Sequence, residues 1–228
     1  MKPYSNLDAV LQDGYSFRNM PNYGRPDVQD ATISTHQIGE LIVPSGEIIA
    51  CDPLIGPDTR YYFKKTVTPG HYPVIVSVAN FQPSGESRFA CAMLRISDKS
   101  PVRWEVASIN EPNTNQTEDR ISYSVDAGTG CFMDLDAAQV LEELTTDADE
   151  FESCCDRILA EMDKHSFGKY RTAGWVNMRV SDDIEGNIIT FSSGWGDGGY
   201  ASFWGYDAAG KLTSLVTDFA LFPDNGAA

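Results

Sequence analysis

Residues 188–219 have the sequence IITFSSGWGDGGYASFWGYDAAGKLTSLVTDF and decide the fold class. Residues 188–192, 201–206 and 212–219 are short runs rich in β-branched and aromatic side chains, which favour β-strands. Turn-forming residues at 207–210 separate the last two runs. This stretch therefore predicts antiparallel strands joined by short connections.

The same alternation of strand signals and turn residues continues upstream along most of the chain. Residues 172–180 and 188–192 are separated by the turn Glu185-Gly186-Asn187, which indicates another antiparallel pair. Pro44-Ser45-Gly46 resembles a hairpin turn in the same way. Three upstream pairs of runs flank such turns and are predicted to be strands: 37–43 with 47–51, 61–67 with 72–79, and 88–96 with 102–107.

One region has helical instead of strand periodicity. Asp147 and Glu150 resemble a capping box at its start, and residues 136–144 predict a shorter helix before it. Apolar side chains then recur at the helical spacing i, i+3, i+4, i+7, i+8 and i+11: Phe151, Cys154, Cys155, Ile158, Leu159 and Met162.

Together the patterns predict an α+β fold, a strand-rich antiparallel sandwich or half-barrel with a two-helix insertion around residues 136–164. Prolines and glycines in residues 1–30 predict an irregular N-terminal arm with at most a short helix. Residues 31–222 are expected to form a single α+β domain, and residues 223–228 a frayed tail.

Composition limits the partners. The chain of 228 residues has a formal net charge of −16, which repels nucleic-acid phosphates and anionic membranes and attracts basic proteins. No apolar run is long enough for a membrane helix, and the first residues lack the apolar core of a signal peptide. Five cysteines without CxxC spacing predict reduced thiols. We therefore expect a cytoplasmic protein that binds neither nucleic acid nor membrane.

The segment 126–130, Asp-Ala-Gly-Thr-Gly, is the first of two glycine-containing polar segments. Asp126 is placed to act as a base or a metal ligand, and Thr129 with the backbone amides around Gly128 and Gly130 is suited to an anion. The alternative is a glycine-dependent turn leading into the first helix, with Asp134 or Asp136 as its cap.

The second polar segment, residues 192–206, contains Gly194-Trp195-Gly196-Asp197-Gly198-Gly199, which satisfies GxGxxG. Dinucleotide binding requires a helix directly after this motif, and a strand-like aromatic run follows instead, so we exclude that function. Two interpretations stay open. The aromatic side chains, including Trp195, Tyr200 and Trp204, wall a ligand site beside Asp197, or they are ordinary sheet residues around a hairpin loop.

The predicted helical region is strongly acidic: residues 134–163 contain eleven carboxylates and one cation, Arg157. Charge runs of this kind usually form a solvated helix face. The functional alternative is a docking surface for a basic protein.

Several segments in the matching order resemble an uncharacterised bacterial family known as domain of unknown function 4241. The resemblance covers roughly residues 35–221 and implies no known activity. It marks Asp52, Asn187 and both glycine-containing segments as motif positions. It rests on six segments: 43–53, 70–74, 88–90, 125–134, 193–197 and 215–219.

Two functional hypotheses follow. The first is a hydrolase-like or small-ligand or metal-binding pocket for a small polar or anionic ligand, with Asp126, Asp134 and Asp197 as catalytic candidates. The second is an acidic binding protein, such as an immunity protein that neutralises a basic toxin or nuclease. The sequence identifies no cofactor and no metal. The ligand-binding candidates of the first hypothesis are Asp52, Gly128, Thr129, Gly130, Asn187, Trp195, Tyr200 and Trp204.

Overall fold

The computed structural model describes residues 1–21, 28–110, 120–170 and 172–222. Within these ranges the chain forms two antiparallel sheets and three helices, which confirms the predicted α+β class. The predicted frayed tail, 223–228, and most of the polar segment 110–120 lie outside the described residues.

One of the two sheets is a half-barrel, and the larger sheet has eight strands. Their order across the sheet is β1-β2-β4-β5-β13-β12-β6, and β7 pairs with β12 beside β6. The strands are β1 (Ser16–Pro21), β2 (Val28–Val43), β4 (Gly70–Gln82), β5 (Ser87–Arg95), β6 (Arg103–Val106), β7 (Ser122–Val125), β12 (Gly198–Tyr206) and β13 (Leu212–Asp218).

The smaller sheet has five strands in the order β3-β8-β11-β10-β9. They are β3 (Ile48–Cys51), β8 (Thr129–Asp134), β9 (Ser166–Phe167), β10 (Ala173–Met178) and β11 (Ile188–Ser192). The helices are α1 (Leu7–Val10), α2 (Leu135–Leu144) and α3 (Ala148–Lys164).

The core is layered because both sheets bury apolar side chains on both faces. Side chains such as Phe89 and Phe191 fill the space between the sheets. The outer face of the small sheet packs against α2 and α3, through side chains such as Ile158. The outer face of the large sheet is covered by α1 and the last described residues, among them Phe222.

The predicted helical insertion is confirmed, and its caps explain its bounds. The Asp147 side chain accepts hydrogen bonds from the N–H groups of Asp149 and Glu150, so it caps α3. Cys154, Ile158 and Met162 are buried at the predicted spacing and face the small sheet.

Two predicted antiparallel pairs are also confirmed. Strand β10 pairs with β11, and β12 pairs with β13 across residues 207–210. In both cases the turn residues separate strands of matching pattern that lie in one sheet.

Other strand predictions are wrong. Strands β2 and β3 flank Pro44-Ser45-Gly46 but belong to different sheets, because β2 pairs with β4 and β3 with β8. Turn chemistry is the same for a hairpin and for a corner between two sheets, so the sequence could not distinguish them. Residues 61–67 form only an isolated bridge at Phe63, whose ring packs against Trp204.

Two further segments differ from expectation. Strand β6 pairs with β12 and not with β5, although the two are close in sequence. The arm predicted as irregular contains β1, and its residues from 28 onward begin the long strand β2. No helix in the described part of the chain has the length and apolar character needed to span a membrane.

Candidate functional site

The two glycine-containing segments run side by side, and each passes from one sheet to the other. Residues 126–128 connect β7 of the large sheet to β8 of the small sheet. Residues 193–197 connect β11 of the small sheet back to β12 of the large sheet. The Ser193 N–H donates to the Gly128 carbonyl at 3.0 Å, and Val125 pairs with Gly198. We call these two adjacent connections the paired crossovers.

The glycines of the first crossover have structural reasons to be glycine. Gly128 has a φ of +68°, a left-handed conformation that strains other residues. A Cβ on Gly130 would lie 2.8 Å from the Tyr123 hydroxyl oxygen and 3.1 Å from the Phe191 ring. Both positions are therefore explained by backbone geometry and packing, although the turn leads into β8 and not directly into the first helix.

Asp52 holds the first crossover in place from the end of β3. Its carboxylate is 3% exposed and accepts hydrogen bonds from the N–H groups of Asp126 at 3.0 Å and Ala127 at 2.7 Å. The Thr129 hydroxyl donates to it at 2.6 Å, and the Leu54 N–H at 3.1 Å. Because these four donors occupy both oxygens, Asp52 and Thr129 act here in positioning the loop.

Asp134 lies at the opposite end of β8. A strand rises about 3.3 Å per residue, so Asp134 is about 17 Å from Thr129 along the strand. Its side chain accepts from the Asp136 N–H at 2.9 Å as the cap of α2. It also accepts from the N–H and hydroxyl of Ser45 at 3.0 and 2.7 Å. Burial raises the pKa of this fully buried carboxyl.

Asn187 connects the two sheets at this same far end. Its carbonyl oxygen accepts from the Ile42 N–H at 2.8 Å, and its amide donates to the Glu40 carbonyl at 2.9 Å. The amide also donates to the Asn177 side chain at 2.6 Å. Asn187 thus binds the backbone of β2, and neither Asn187 nor Asp134 lies near the paired crossovers.

The three aromatic candidates do not wall one site, because they lie on both faces of the large sheet. Trp204 and Tyr200 are buried between the sheets, and the Tyr200 hydroxyl donates to the Gly196 carbonyl at 2.7 Å. Trp195 packs on the other face, 5.6 Å from the Phe81 ring and 5.1 Å from the Arg88 guanidinium.

Asp126 and Asp197 are the two candidates whose side chains are exposed. The ladder between β7 and β12 ends at Val125 and Gly198, and these aspartates occupy the next position on each strand. Asp126 lines a cavity of about 210 Å³ along the edge strand β3, whereas Asp197 is not among its described lining residues.

Sequence reasoning missed most of the residues around this cavity. Tyr61 and Arg120 form part of its wall, with the guanidinium carbon 4.5 Å from the Tyr61 ring centroid. Asp58 lies nearby and pairs with Arg60 at 2.6 Å, which lowers the pKa of the Asp58 carboxyl. Cys51 also lines it. No local pattern marks these residues, because three separate segments meet there. Across the described ranges, no cluster of three or more His, Cys, Asp or Glu side chains could hold a metal ion.

A second candidate site is the outward face of the helical layer. Between residues 135 and 164 the sequence has ten carboxylates and two cations, Arg157 and Lys164. The buried faces of α2 and α3 point to the small sheet, so the acidic side chains on their opposite faces point outward. We define the α2–α3 surface by five exposed carboxylates: Glu143, Asp149, Glu150, Glu152 and Asp156.

A comparison with known protein families identifies the family of this chain. The model of a family described as "Protein of unknown function (DUF4241)" matches residues 41–217. The chain therefore belongs to that family, as its motif segments predicted. No curated protein and no solved structure gives a significant match.

Proposed function

We propose that this protein is an acidic binding protein that docks a basic partner protein on its α2–α3 surface. The observation that supports the proposal most is the contrast between this surface and the buried carboxylates. Asp52 and Asp134 each accept several hydrogen bonds from the chain itself. The α2–α3 surface instead presents its carboxylates to solvent, where they attract a cationic protein.

The geometry of the surface suits such a partner. Asp149, Glu152 and Asp156 follow one another at i, i+3 and i+7 on α3, so they form one stripe along the helix. Leu159, 47% exposed, follows at the next helical step and provides an apolar contact beside the stripe. A rigid helix packed on a sheet presents these groups without ordering a loop on binding. A basic toxin or nuclease is the class of partner that this chemistry fits.

The test is a charge reversal on the surface, Glu152→Lys with Asp156→Lys. The probe is a small basic ribonuclease, and its binding is measured by calorimetry at low and physiological ionic strength. Wild type is expected to bind with an affinity that falls as salt rises, because exposed charge pairs are screened beyond about 10 Å. The variant is expected to lose at least about 10-fold, which corresponds to about 1.4 kcal/mol.

A control variant separates the surface from net charge alone. Asp8→Lys with Asp98→Lys changes the net charge equally, at exposed positions on α1 and on the loop between β5 and β6. The control should bind the ribonuclease nearly as well as wild type. Equal losses in the two variants would show unspecific attraction and contradict the proposed surface.

A second candidate function is the binding of a small polar ligand in the cavity of about 210 Å³. The supporting observation is that Asp126, Asp58 and Arg120 place charges of both signs around an otherwise largely apolar space. Of the original catalytic candidates, Asp126 lines this cavity. Hydrolysis would need a second catalytic group beside Asp126, so we propose only ligand binding for this cavity.

A thermal-shift screen of amino acids, nucleosides and sugar phosphates tests this second function. A ligand of the cavity should raise the melting temperature of wild type and of Asp197→Asn but not of Asp126→Asn. Each aspartate directly flanks the last described pair of the β7–β12 ladder and both are exposed, so they form a matched pair. A shift that survives in Asp126→Asn would place the ligand elsewhere.

A further inference from the structure

Cys51 and Cys131 form a thiol pair on the small sheet. They are directly opposite residues on the antiparallel strands β3 and β8, and their sulfur atoms are 3.6 Å apart. Directly opposite residues of antiparallel strands have Cα atoms about 4.5–5.5 Å apart, which is within the range that a disulfide spans. Bond formation therefore needs only a side-chain rotation and a small approach of two neighbouring strands.

The two thiols differ in access. Cys131 is 0% exposed, and burial raises the pKa of its thiol. Cys51 is partly exposed on the edge strand and lines the cavity of about 210 Å³. A small oxidant can thus reach Cys51 through the cavity, while Cys131 is shielded from everything except its neighbour.

The residue opposite Cys131 on its other neighbouring strand, β11, is also polar. Thr190 of β11 pairs with Cys131 in register, so both side chains point to the helix-facing side of the sheet. The Thr190 hydroxyl is buried and has no hydrogen-bond partner among the residues that the structure describes. A buried hydroxyl without a partner is unfavourable, and this one lies beside Cys131 in register without a hydrogen bond to its sulfur.

We propose that Cys51 and Cys131 are a reversible oxidation site for hydroperoxides. Cys51 loses its thiol proton and its sulfur attacks one oxygen of hydrogen peroxide. The O–O bond breaks, the departing hydroxide takes up that proton as water, and Cys51 becomes a sulfenic acid. The Cys131 sulfur then attacks the Cys51 sulfur, the S–OH bond breaks, and a disulfide and a second water form. Two thiols lose two electrons, and one peroxide is reduced to two waters.

The bond would connect directly to the paired crossovers. Cys51 is followed by Asp52, whose carboxylate holds Asp126, Ala127 and Thr129. Moving Cys51 toward Cys131 therefore acts on the residue that fixes the first crossover. The inference stands on the thiol geometry and does not depend on the proposed partner protein.

The test treats folded wild-type protein with hydrogen peroxide, blocks the remaining thiols, and maps peptides by mass spectrometry without reduction. The expected product joins the peptide of Cys51 to the peptide of Cys131. The thiol count after denaturation should fall from five to three, and a dithiol reductant should restore it. Oxidation of Cys51 to the sulfinic acid with Cys131 still free, or a disulfide between other cysteines, would overturn the proposal.

Two single variants test whether Cys51 and Cys131 are the reacting pair. Cys131→Ala should accumulate sulfenic or sulfinic acid at Cys51 and form no internal disulfide. Cys155→Ala is the matched control, because Cys155 is also partly exposed and lies on α3. It should form the Cys51–Cys131 bond at the wild-type rate. A loss of the bond in Cys155→Ala would show that Cys155 takes part and that the assigned pair is wrong.

Discussion

The carboxylates of this chain divide into two groups with opposite surroundings. Asp52 and Asp134 are buried at ends of strands of the small sheet, and each accepts bonds from donors distant in sequence. The carboxylates of the α2–α3 surface lie on the outside of the helical layer. Both groups look alike in the sequence, as aspartates and glutamates among polar residues.

The difference shows what a buried carboxylate does in a small two-sheet protein. Connections between sheets leave backbone N–H groups without ladder partners, and a carboxylate satisfies several of them at once. Exposed carboxylates gain little from intramolecular pairing because water screens them. The first group is thus expected to matter for stability, and the second for binding.

The largest expected effect is at Asp52. Asp52→Ala leaves the N–H groups of Asp126 and Ala127 and the Thr129 hydroxyl without their acceptor. An unsatisfied buried donor costs about 1–3 kcal/mol, and the Thr129 hydroxyl is buried while the two N–H groups are only part-buried, so we expect a loss of about 2–4 kcal/mol in the free energy of unfolding. Urea denaturation followed by tryptophan fluorescence measures it.

The conservative variant Asp52→Asn serves as the control for this position. It keeps one acceptor oxygen and the side-chain volume, so it should lose clearly less than Asp52→Ala. Equal stability of Asp52→Ala and wild type would contradict the structural role of the carboxylate.

Asp134→Ala is expected to have the next largest effect. The substitution removes the cap of α2 and the acceptor for Ser45. Loss of a helix cap typically costs about 0.5–2 kcal/mol, and the two hydrogen bonds from Ser45 to the buried Asp134 carboxylate place this variant toward the upper end. Asp136→Ala is the comparison, because Asp136 lies in the same turn but is exposed. It should change the midpoint of urea unfolding much less than Asp134→Ala does.

The pH dependence at Asp134 has a definite sign. Burial raises its folded-state pKa above the ordinary value of 3.8, so the folded chain binds a proton at this site more tightly than the unfolded chain. The cost of holding the charge is present above the folded pKa and disappears as the pH falls through it. Relative to Asp134→Asn, wild type should therefore gain stability on mild acidification, as measured by urea denaturation across pH. A loss of stability on acidification would mean that the hydrogen bonds to the Asp134 carboxylate outweigh the cost of burying its charge.

The smallest expected effects are on the exposed carboxylates. Glu152→Ala with Asp156→Ala should leave the free energy of unfolding within about 0.5 kcal/mol of wild type, as is usual for surface substitutions. Asp126→Asn and Asp197→Asn should behave in the same way, since both side chains are exposed. A loss above about 1.5 kcal/mol in the helix variant would remove the contrast between the two groups.

The sequence predicted the parts of the fold that local patterns control. Helix α3 was predictable because Cys154, Ile158 and Met162 repeat at helical spacing behind a capping aspartate. The strand pair β12–β13 was predictable for similar local reasons. The corner at 44–46 was not, because the same turn residues serve hairpins and sheet-to-sheet connections.

The sequence predicted which segments contribute to the candidate site but not what their residues do. Asp52, Thr129 and the glycines were identified as motif positions, but their roles depend on partners far along the chain. The carboxylate of Asp52 and the amide of Asp126 are 74 residues apart in sequence. The cavity and the thiol pair likewise arise from segments that meet only in the folded chain, so no local spacing could indicate them.

The strand order has a consequence for synthesis on the ribosome. In the large sheet β13 and β12 lie between β5 on one side and β6 with β7 on the other, although they are the last two strands among the described residues. Until residues 198–218 have left the ribosomal tunnel, β5 ends its half of the sheet and β6 and β7 have no neighbour. A nascent chain that has not yet delivered these residues therefore exposes open strand edges, and the sheet can close only once β12 and β13 have emerged.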